Sequence, residues 1–405
     1  MPVDVLVVGG GMITHDQILP SLYHMQRLGQ AGEIRIAATS SARLKQLVSP
    51  RFAEAFPGQS FVAYPPLDSP EDRRSPDLWK DALATLAPDS LVVVASPDET
   101  HNEIVRKVLE REQNVLCVKP LTHNYEQAEA IGRMAHERGL LVTIDYHKRF
   151  DRRSLEARKL YRLGVLGEFA CGQACMIEPY YYRSSNFQNW FTKDKTDAFT
   201  YVGCHYVDFV YFVTGLKPIE VSARGVERKF PNGNMAHMWA NGRVVFENGS
   251  LLSVNGGLGY PDRGPGTNDQ GITMYCEGPD GGGIIQHNDQ FRGVGYGFVD
   301  DRFGAHFRHI NPDYFRLVPW QGAGLKPVGY GYDSVEAPVI AVLQLRDRPG
   351  LPERQKMLAE IDERGLCATP RNSSINELVI EATRRSIQDG GSVVKIEYGE
   401  RPGIA

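Results

Sequence analysis

The chain has little of what marks secreted, membrane or nucleic-acid-binding proteins. Six cysteines are scattered through 405 residues (Cys117, Cys171, Cys175, Cys204, Cys276 and Cys367) and none forms a CxxC pair. That spacing points to reduced thiols in an intracellular setting rather than a disulfide framework. No apolar run approaches the roughly 20 residues that a membrane-spanning helix needs. Lys plus Arg number 45 against 49 Asp plus Glu, for a net charge of −4. With no basic run, nothing is offered to a phosphate backbone or an anionic bilayer. Repeats and low-complexity stretches are absent, and glycine-rich patches such as 278–283 read as loops. The chain enters an apolar strand at once, VDVLVV, with no basic or hydrophobic leader, and a cytoplasmic protein is expected.

What is present is organised around Leu91 to Pro120. LVVVA is a continuous apolar run, the mark of a parallel strand covered on both faces. Thr100 to Glu103 fits a capping box, and Ile104, Val105, Val108 and Leu109 then recur at helical spacing. NVLCVK is the next strand. A right-handed crossover sets the two strands side by side, so Ser96-Pro97 and Lys119-Pro120 reach one carboxyl edge, where open α/β sheets bind ligands. Lys119 is expected to meet a substrate there.

The first third repeats this alternation. Val3–Val8, 34–39, 61–64 and 140–146 read as strands, with helices between them, giving six strands in a doubly wound parallel sheet. After the first strand comes Gly9-Gly10-Gly11, a turn of the kind that lays a pyrophosphate on helix amides. Thr14 takes the place of the third glycine, which implies a slightly wider helix crossing. Gly9, Gly11, Met12 and Ile13 are the expected cofactor contacts there, joined by Ser96, Pro97, His101, Lys119 and Pro120 from the central edge. The second strand ends in Thr39-Ser40-Ser41-Ala42-Arg43 without a carboxylate. Hydroxyls plus Arg43 favour NADP over NAD, although Ser41 could be only a helix cap.

Beyond Tyr146 the pattern becomes strand-rich. Asn248-Gly249 joins two strands in a two-residue hairpin. The fold class expected is therefore α/β: a Rossmann domain over 1–146, then an α+β domain over 147–405 with a large, mostly antiparallel open sheet. The open face of that sheet needs cover, so a homodimer or homotetramer is expected. Between the strands lies TYVGCHYVDFVYFVTG (200–215), a buried helix bearing His205 and Asp208 on one face.

The order of motifs resembles the glucose–fructose oxidoreductase/inositol dehydrogenase family, also called Gfo/Idh/MocA. VVGGGMI resembles its glycine turn, and VVVASPDETHNEIVRKVLEREQNVLCVKPLT its stretch ending in Glu-Lys-Pro. YHKRFD resembles the segment opening its second domain, GCHYVD its Gly-x-His-x-x-Asp helix, and VVFENGSLLSV its hairpin. The resemblance implies an NAD(P)-dependent oxidoreductase acting on a sugar, polyol or glycoside hydroxyl. Members pair the Lys of Lys-Pro with an Asp and, four residues on, a His. Lys119 and His205 match; Tyr201 stands in place of the Asp, Val118 in place of the Glu and His147 in place of an Asn.

Lys119 and His205 are thus the expected proton-transfer pair, with Tyr201 as donor or relay. His147, Arg149, Tyr181, Trp190 and Asp208 are expected at the substrate. Each has a plainer reading: a core histidine for His205, a structural carboxylate for Asp208, a boundary ion pair for Arg149, core or interface aromatics for Tyr181 and Trp190. His287, His306 and His309 offer a metal site only if their loops converge, and no metal is expected. Two other functions compete. One is a glycoside-cleaving enzyme that oxidises, eliminates and reduces on a retained nucleotide. The other is a non-catalytic sugar-binding or regulatory protein.

Overall fold

A computed structural model describes residues 1–264, 268–278, 281–288, 296–300, 304–308 and 314–405, with the backbone alone at 296–300 and 304–308. The chain divides into two compact units. The first is Met1–Thr122, Glu126–Phe150 and Phe315–Asn372; the second is His123–Tyr125, Asp151–Tyr314 and Ser373–Ala405.

In the first unit, β1 (Val3–Val8), β2 (Ala31–Ala37), β3 (Val62–Tyr64), β4 (Leu91–Val94), β5 (Asn114–Cys117) and β6 (Val142–Ile144) form one parallel sheet. The strand order is β3-β2-β1-β4-β5-β6. Chain direction across the sheet reverses between β1 and β4, the place where such sheets bind ligands. β4 is buried at every residue, because helices cover both faces. The helix His101–Glu110 buries Ile104, Val105, Val108 and Leu109, as its spacing predicts. The capping box does not form: the Thr100 hydroxyl donates to Pro97 O at 2.7 Å, and no side chain caps the helix.

The expected division at residue 147 is corrected by Phe315–Asn372, which pack with the first unit. The helix Tyr330–Arg346 carries Val335, Val339, Val342 and Leu345 on one stripe. Those side chains bury in one core with Val3, Val5, Val7, Leu91 and Val93. Polar ties fix the return. Arg354 donates from both terminal nitrogens to the Asp89 carboxylate at 2.6 and 2.7 Å. Ile144 N donates to Ala368 O at 2.8 Å.

The second unit is built on a sheet of eight strands: β7 (Glu168–Pro179), β8 (Pro218–Lys229), β9 (Met235–Phe246), β10 (Leu251–Tyr260), β11 (Asp269–Glu277) and β12 (Gly283–Asn288), with Val394–Glu397 and Gly403–Ile404. They run in the order β12-β11-β7-β10-β9-β8, then the two short strands. Among the described strands of this sheet, only β7 and β10 pair in parallel. Gly249, at φ +84°, makes the β9–β10 turn. Leu252, Val254, Ile272 and Met274 alternate inward to a core shared with the helices Cys204–Thr214 and Ile375–Gln388. On the other face Gln173, Ser253, Asn255 and Gln286 are exposed. No helix among the described residues is long and apolar enough to cross a membrane.

Candidate functional site

At the carboxyl edge of the parallel sheet, Gly9 has φ +122°, and a Cβ there would stand 2.0 Å from Ala95 O on the neighbouring strand. The glycine turn therefore exists first to let β1 pass close to β4. Gly11 differs: a Cβ there would meet no protein atom within 4 Å. Thr14 resolves its own departure from the glycine pattern. It is fully buried, its hydroxyl donates to Gly9 O at 2.6 Å, and the helix opens with one wide turn over Thr14–Ile18. Met12 is exposed and Ile13 half-buried beside the turn.

From β4, Ser96 and Pro97 are half-buried, with Ser96 Oγ 2.7 Å from Thr100 Oγ1. From β5, Lys119 is half-buried and Pro120 buried. His101, expected at the cofactor, ties two strand ends together. It is fully buried, with Nδ1 2.7 Å from Pro120 O and Nε2 2.9 Å from Ser96 O, spanning the ends of two adjacent strands.

At the end of β2, Ser41 donates to Ser69 O at 2.7 Å and Ser75 N donates to Thr39 O at 2.9 Å. These bonds fold the loop after β3 onto the strand end and bring Arg74 Nη1 to 3.5 Å from the hydroxyl of buried Ser40. Arg43 is half-buried nearby on the same short helix. Sequence reasoning missed Arg74, because only the folded loop places it beside Ser40.

From β6, Asp145 and His147 reach the same edge. His147 Nδ1 lies 3.9 Å from Asp145 Oδ2, and its ring is tilted against Tyr330 at 5.7 Å. Gln17 Nε2 donates to Asp145 Oδ2 at 3.2 Å and to Gly331 O at 2.9 Å. Arg149, expected to bind substrate or pair at the boundary, holds the returning segment. It is buried, and its Nη1 donates to Gly365 O at 3.1 Å and Asn372 Oδ1 at 2.9 Å.

In the second unit, Asp197 starts the GxHxxD helix. Its Oδ1 accepts from Phe199 N and Thr200 N at 2.9 Å, and its Oδ2 accepts from the Thr200 hydroxyl at 2.7 Å. A wide turn, Phe199–Gly203, leads into Cys204–Thr214; such turns are frequent at functional sites. Gly203 is a packing glycine, since a Cβ there would touch Val254 Cγ1 at 3.0 Å. Tyr201 and His205 lie one turn apart, the spacing that puts two side chains on one helix face. The Tyr201 ring stands edge-on to Phe187 at 5.3 Å, Trp190 at 5.7 Å and Phe191 at 5.7 Å. Trp190 is thus a wall of the Tyr201 cluster. Tyr181 stays half-exposed, with its ring edge-on to Tyr182. Asp208 is buried and accepts from Asn376 Nδ2 at 2.9 Å, a tie to the helix Ile375–Gln388.

His287 is claimed by Asp151, with Nε2 to Oδ2 at 2.7 Å. The side chains of His306 and His309 lie outside the described residues. Among the described residues no cluster of three or more His, Cys, Asp or Glu could hold a metal.

Residues 3–146 match a family described as "Oxidoreductase family, NAD-binding Rossmann fold", and 154–278 match "GFO/IDH/MocA C-terminal domain". The chain belongs to the Gfo/Idh/MocA family. Among its curated relatives, scyllo-inositol 2-dehydrogenase (NADP(+)) IolW of Bacillus subtilis is 24% identical over 172 residues, 41% of this chain and 47% of that protein. Inositol 2-dehydrogenase 1 of Paenarthrobacter aurescens is 27% identical over 225 residues, 53% of this chain and 62% of that one. The 2,7-anhydro-N-acetylneuraminate hydratase of Mediterraneibacter gnavus is 28% identical over 176 residues, 43% and 44%. The chain spans less than two thirds of the length of each. A crystal structure of GenD2 from gentamicin A biosynthesis in complex with NAD shares the fold, at TM-score 0.66 and 19% identity over 98% of this chain and 97% of that one.

The first unit fits the nucleotide that the Gfo/Idh/MocA name implies. Gly11 leaves open space where backbone amides begin a helix, and the turn lies where strand order reverses. Gly9, Gly11, Met12 and Ile13 would hold the pyrophosphate side, with Ser96 and Pro97 on the adjoining strand end.

Proposed function

We propose that the protein is an NAD(P)-dependent oxidoreductase of a sugar, polyol or glycoside hydroxyl. One observation carries this reading: the glycine turn of β1 and Lys119 of β5 share one edge of the parallel sheet, flanking the β4 end that joins them. Bound nicotinamide supplies a two-electron hydride acceptor. Lys119 handles the hydroxyl proton, as a positioned amine can. In the second unit, His205 and Tyr201 are the residues suited to proton transfer and hydrogen bonding, and Trp190 and Tyr181 the aromatic surface suited to a sugar ring.

NADP is favoured over NAD. The end of β2 bears Ser40, Arg43 and Arg74, and neither arginine forms an ion pair among the described residues. Two guanidinium groups without a carboxylate partner among the described residues suit a 2′-phosphate. The six cysteines are all free thiols, the state kept by a reducing compartment, and we place the protein in the cytoplasm. We also propose a homodimer or homotetramer built on the open face of the second sheet, where Leu251, Tyr275 and Ile284 are exposed.

The test is to denature purified protein and identify any released nucleotide, then assay inositols, other polyols and aryl glycosides for reduced nicotinamide and for aglycone release. Net reduction of NADP supports the proposal. Tightly retained nucleotide with aglycone release and no net reduction replaces it with the oxidation–elimination–reduction cycle. A hydratase among the relatives keeps that outcome in view.

A further inference from the structure

We infer that the loop 65–77 is a built wall of the nucleotide site, and that its Arg74, rather than Arg43, sets the preference for a 2′-phosphate. This rests on the NADP reading of the site and divides the work within it.

The geometry comes from the order of the strands. β2 lies between β3 and β1. The glycine turn follows β1 and the loop carrying Arg74 follows β3, so the two flank the end of β2 from opposite sides. Arg43 stands on the side of the turn, since a Cβ on Gly10 would lie 3.4 Å from Arg43 Cβ. Arg74 stands on the other side, where its Nη1 approaches the hydroxyl of buried Ser40. In sheets of this kind the adenosine ribose sits at the end of the second strand and the pyrophosphate on the turn. Arg43 is therefore placed where either phosphate can reach it, and position alone does not let it tell a phosphorylated ribose from a bare one. Arg74 is placed on the side of the ribose away from the turn.

The loop is fastened along its length. At its start Ala38 N donates to Tyr64 O at 2.8 Å, and near its end Ser75 N donates to Thr39 O at 2.9 Å. Between them the Ser41 hydroxyl donates to Ser69 O at 2.7 Å, and Lys45 Nζ pairs with Glu71 Oε1 at 2.7 Å. An exposed ion pair adds little stability. What it does here is engage the Glu71 carboxylate with a cation on the helix Ser41–Lys45. The Arg74 side chain makes one hydrogen-bond contact among the described residues, at the long distance of 3.5 Å from Ser40 Oγ. Arginine carries its N–H donors in a rigid fork that matches a phosphate. A fork on a loop already held in place loses little freedom on binding.

The experiment titrates full-length wild type, Arg74→Ala, Arg43→Ala and Ser75→Pro with adenosine 2′,5′-bisphosphate and with 5′-AMP. These probes carry the adenosine end with and without the 2′-phosphate, so no substrate is needed. Wild type is expected to bind the bisphosphate more tightly. Arg74→Ala should lose about 10- to 100-fold for the bisphosphate and stay within about twofold for 5′-AMP, as expected when charge-assisted hydrogen bonds to one phosphate are removed. Arg43→Ala should weaken both ligands alike. Ser75→Pro removes the amide that holds the loop to Thr39 and should lower the preference with Arg74 still present. Arg74→Ala with the wild-type preference, or with equal losses for both ligands, overturns the assignment. So does a preference abolished by Arg43→Ala but kept in Arg74→Ala. An unchanged preference in Ser75→Pro overturns the wall. A wild type that binds the two probes equally defeats the NADP reading itself and leaves the dehydrogenase to NAD.

Discussion

The parallel sheet of the first unit is covered on both faces, and its central strand β4 is apolar and buried at every position. The sheet of the second unit is covered on one, so its strands alternate. In the first, side chains are committed to packing, and chemistry is left to the strand ends, where backbone turns leave the core. In the second, a whole face of Gln173, Ser253, Asn255 and Gln286 remains outside the core, and the polar residues of interest sit on a helix packed against the other face. Two-sided burial concentrates function at an edge; one-sided burial spends a face on cover.

Lys119→Met should show the largest effect. With the edge as the working part, kcat falls about 10²- to 10⁴-fold while the melting temperature stays close to wild type. Undiminished turnover would falsify the assignment. The next contrast lies within the glycine turn. Gly9→Ala puts a methyl group against Ala95 O at a φ that alanine rarely adopts, and a loss of roughly 3 kcal/mol or more is expected in denaturant titrations. Gly11→Ala meets nothing and should cost under about 0.5 kcal/mol, while weakening nucleotide binding measured by titration. Equal stability losses at the two glycines would erase the distinction between packing and ligand approach.

The second unit has its own sensitive point at Asp151, which caps the helix Arg152–Arg162. Burial raises its pKa, but hydrogen bonds from His287 and Arg153 outweigh that and hold it at about 2, below its ordinary 3.8. A carboxylate depressed on folding stabilises fully above the unfolded value, and that contribution is lost as pH falls from about 4 through about 2. The contribution is on the order of 2 kcal/mol. Asp151→Asn should therefore lower stability at neutral pH and flatten the acid limb of the unfolding curve. An unchanged acid limb would remove the pair from the account.

Smaller effects test the open face. Leu251→Asp with Ile284→Asp should leave the monomer's melting within about 0.5 kcal/mol of wild type and shift the mass by light scattering toward monomer. A wild type already monomeric at working concentration refutes assembly through that face. Smallest is a thiol contrast on the same face. Burial and the Asp269 carboxylate push Cys175 up to about 12, whereas Cys171 is exposed. An alkylating reagent at neutral pH should label Cys171 first; equal labelling would show that burial does not shield the Cys175 thiol.

Much of the parallel sheet was legible because two-sided burial writes itself as runs such as LVVVA, and because each strand is followed at once by its helix. The return of Phe315–Asn372 was not. Its stripe of Val335, Val339, Val342 and Leu345 follows Gly331 and Asp333 and is interrupted by Pro338, and its partner strands lie some 240 to 340 residues earlier. At the site, Gly9 and Lys119 could be placed from strand ends alone. His101, Arg149 and Asp208 could not, because a buried polar residue announces its need for a partner but not which one. Their partners include Ser96 O and Pro120 O for His101, Gly365 O and Asn372 for Arg149, and Asn376 for Asp208. Arg74 carried no sequence signal, since the bonds Ser41–Ser69 and Ser75–Thr39 exist only after the loop folds.

The interleaved order of the two units has a consequence for how the chain is made. When residue 150 leaves the ribosome, all six parallel strands exist, yet the helix Tyr330–Arg346 that completes the core behind β1 and β4 is some 180 residues away. Throughout that interval the nascent sheet carries an uncovered aliphatic surface, the kind that aggregates or recruits chaperones. A gene fragment ending at residue 150 encodes the same exposed state permanently, so the nucleotide-binding half cannot be isolated by cutting the chain where its strands end.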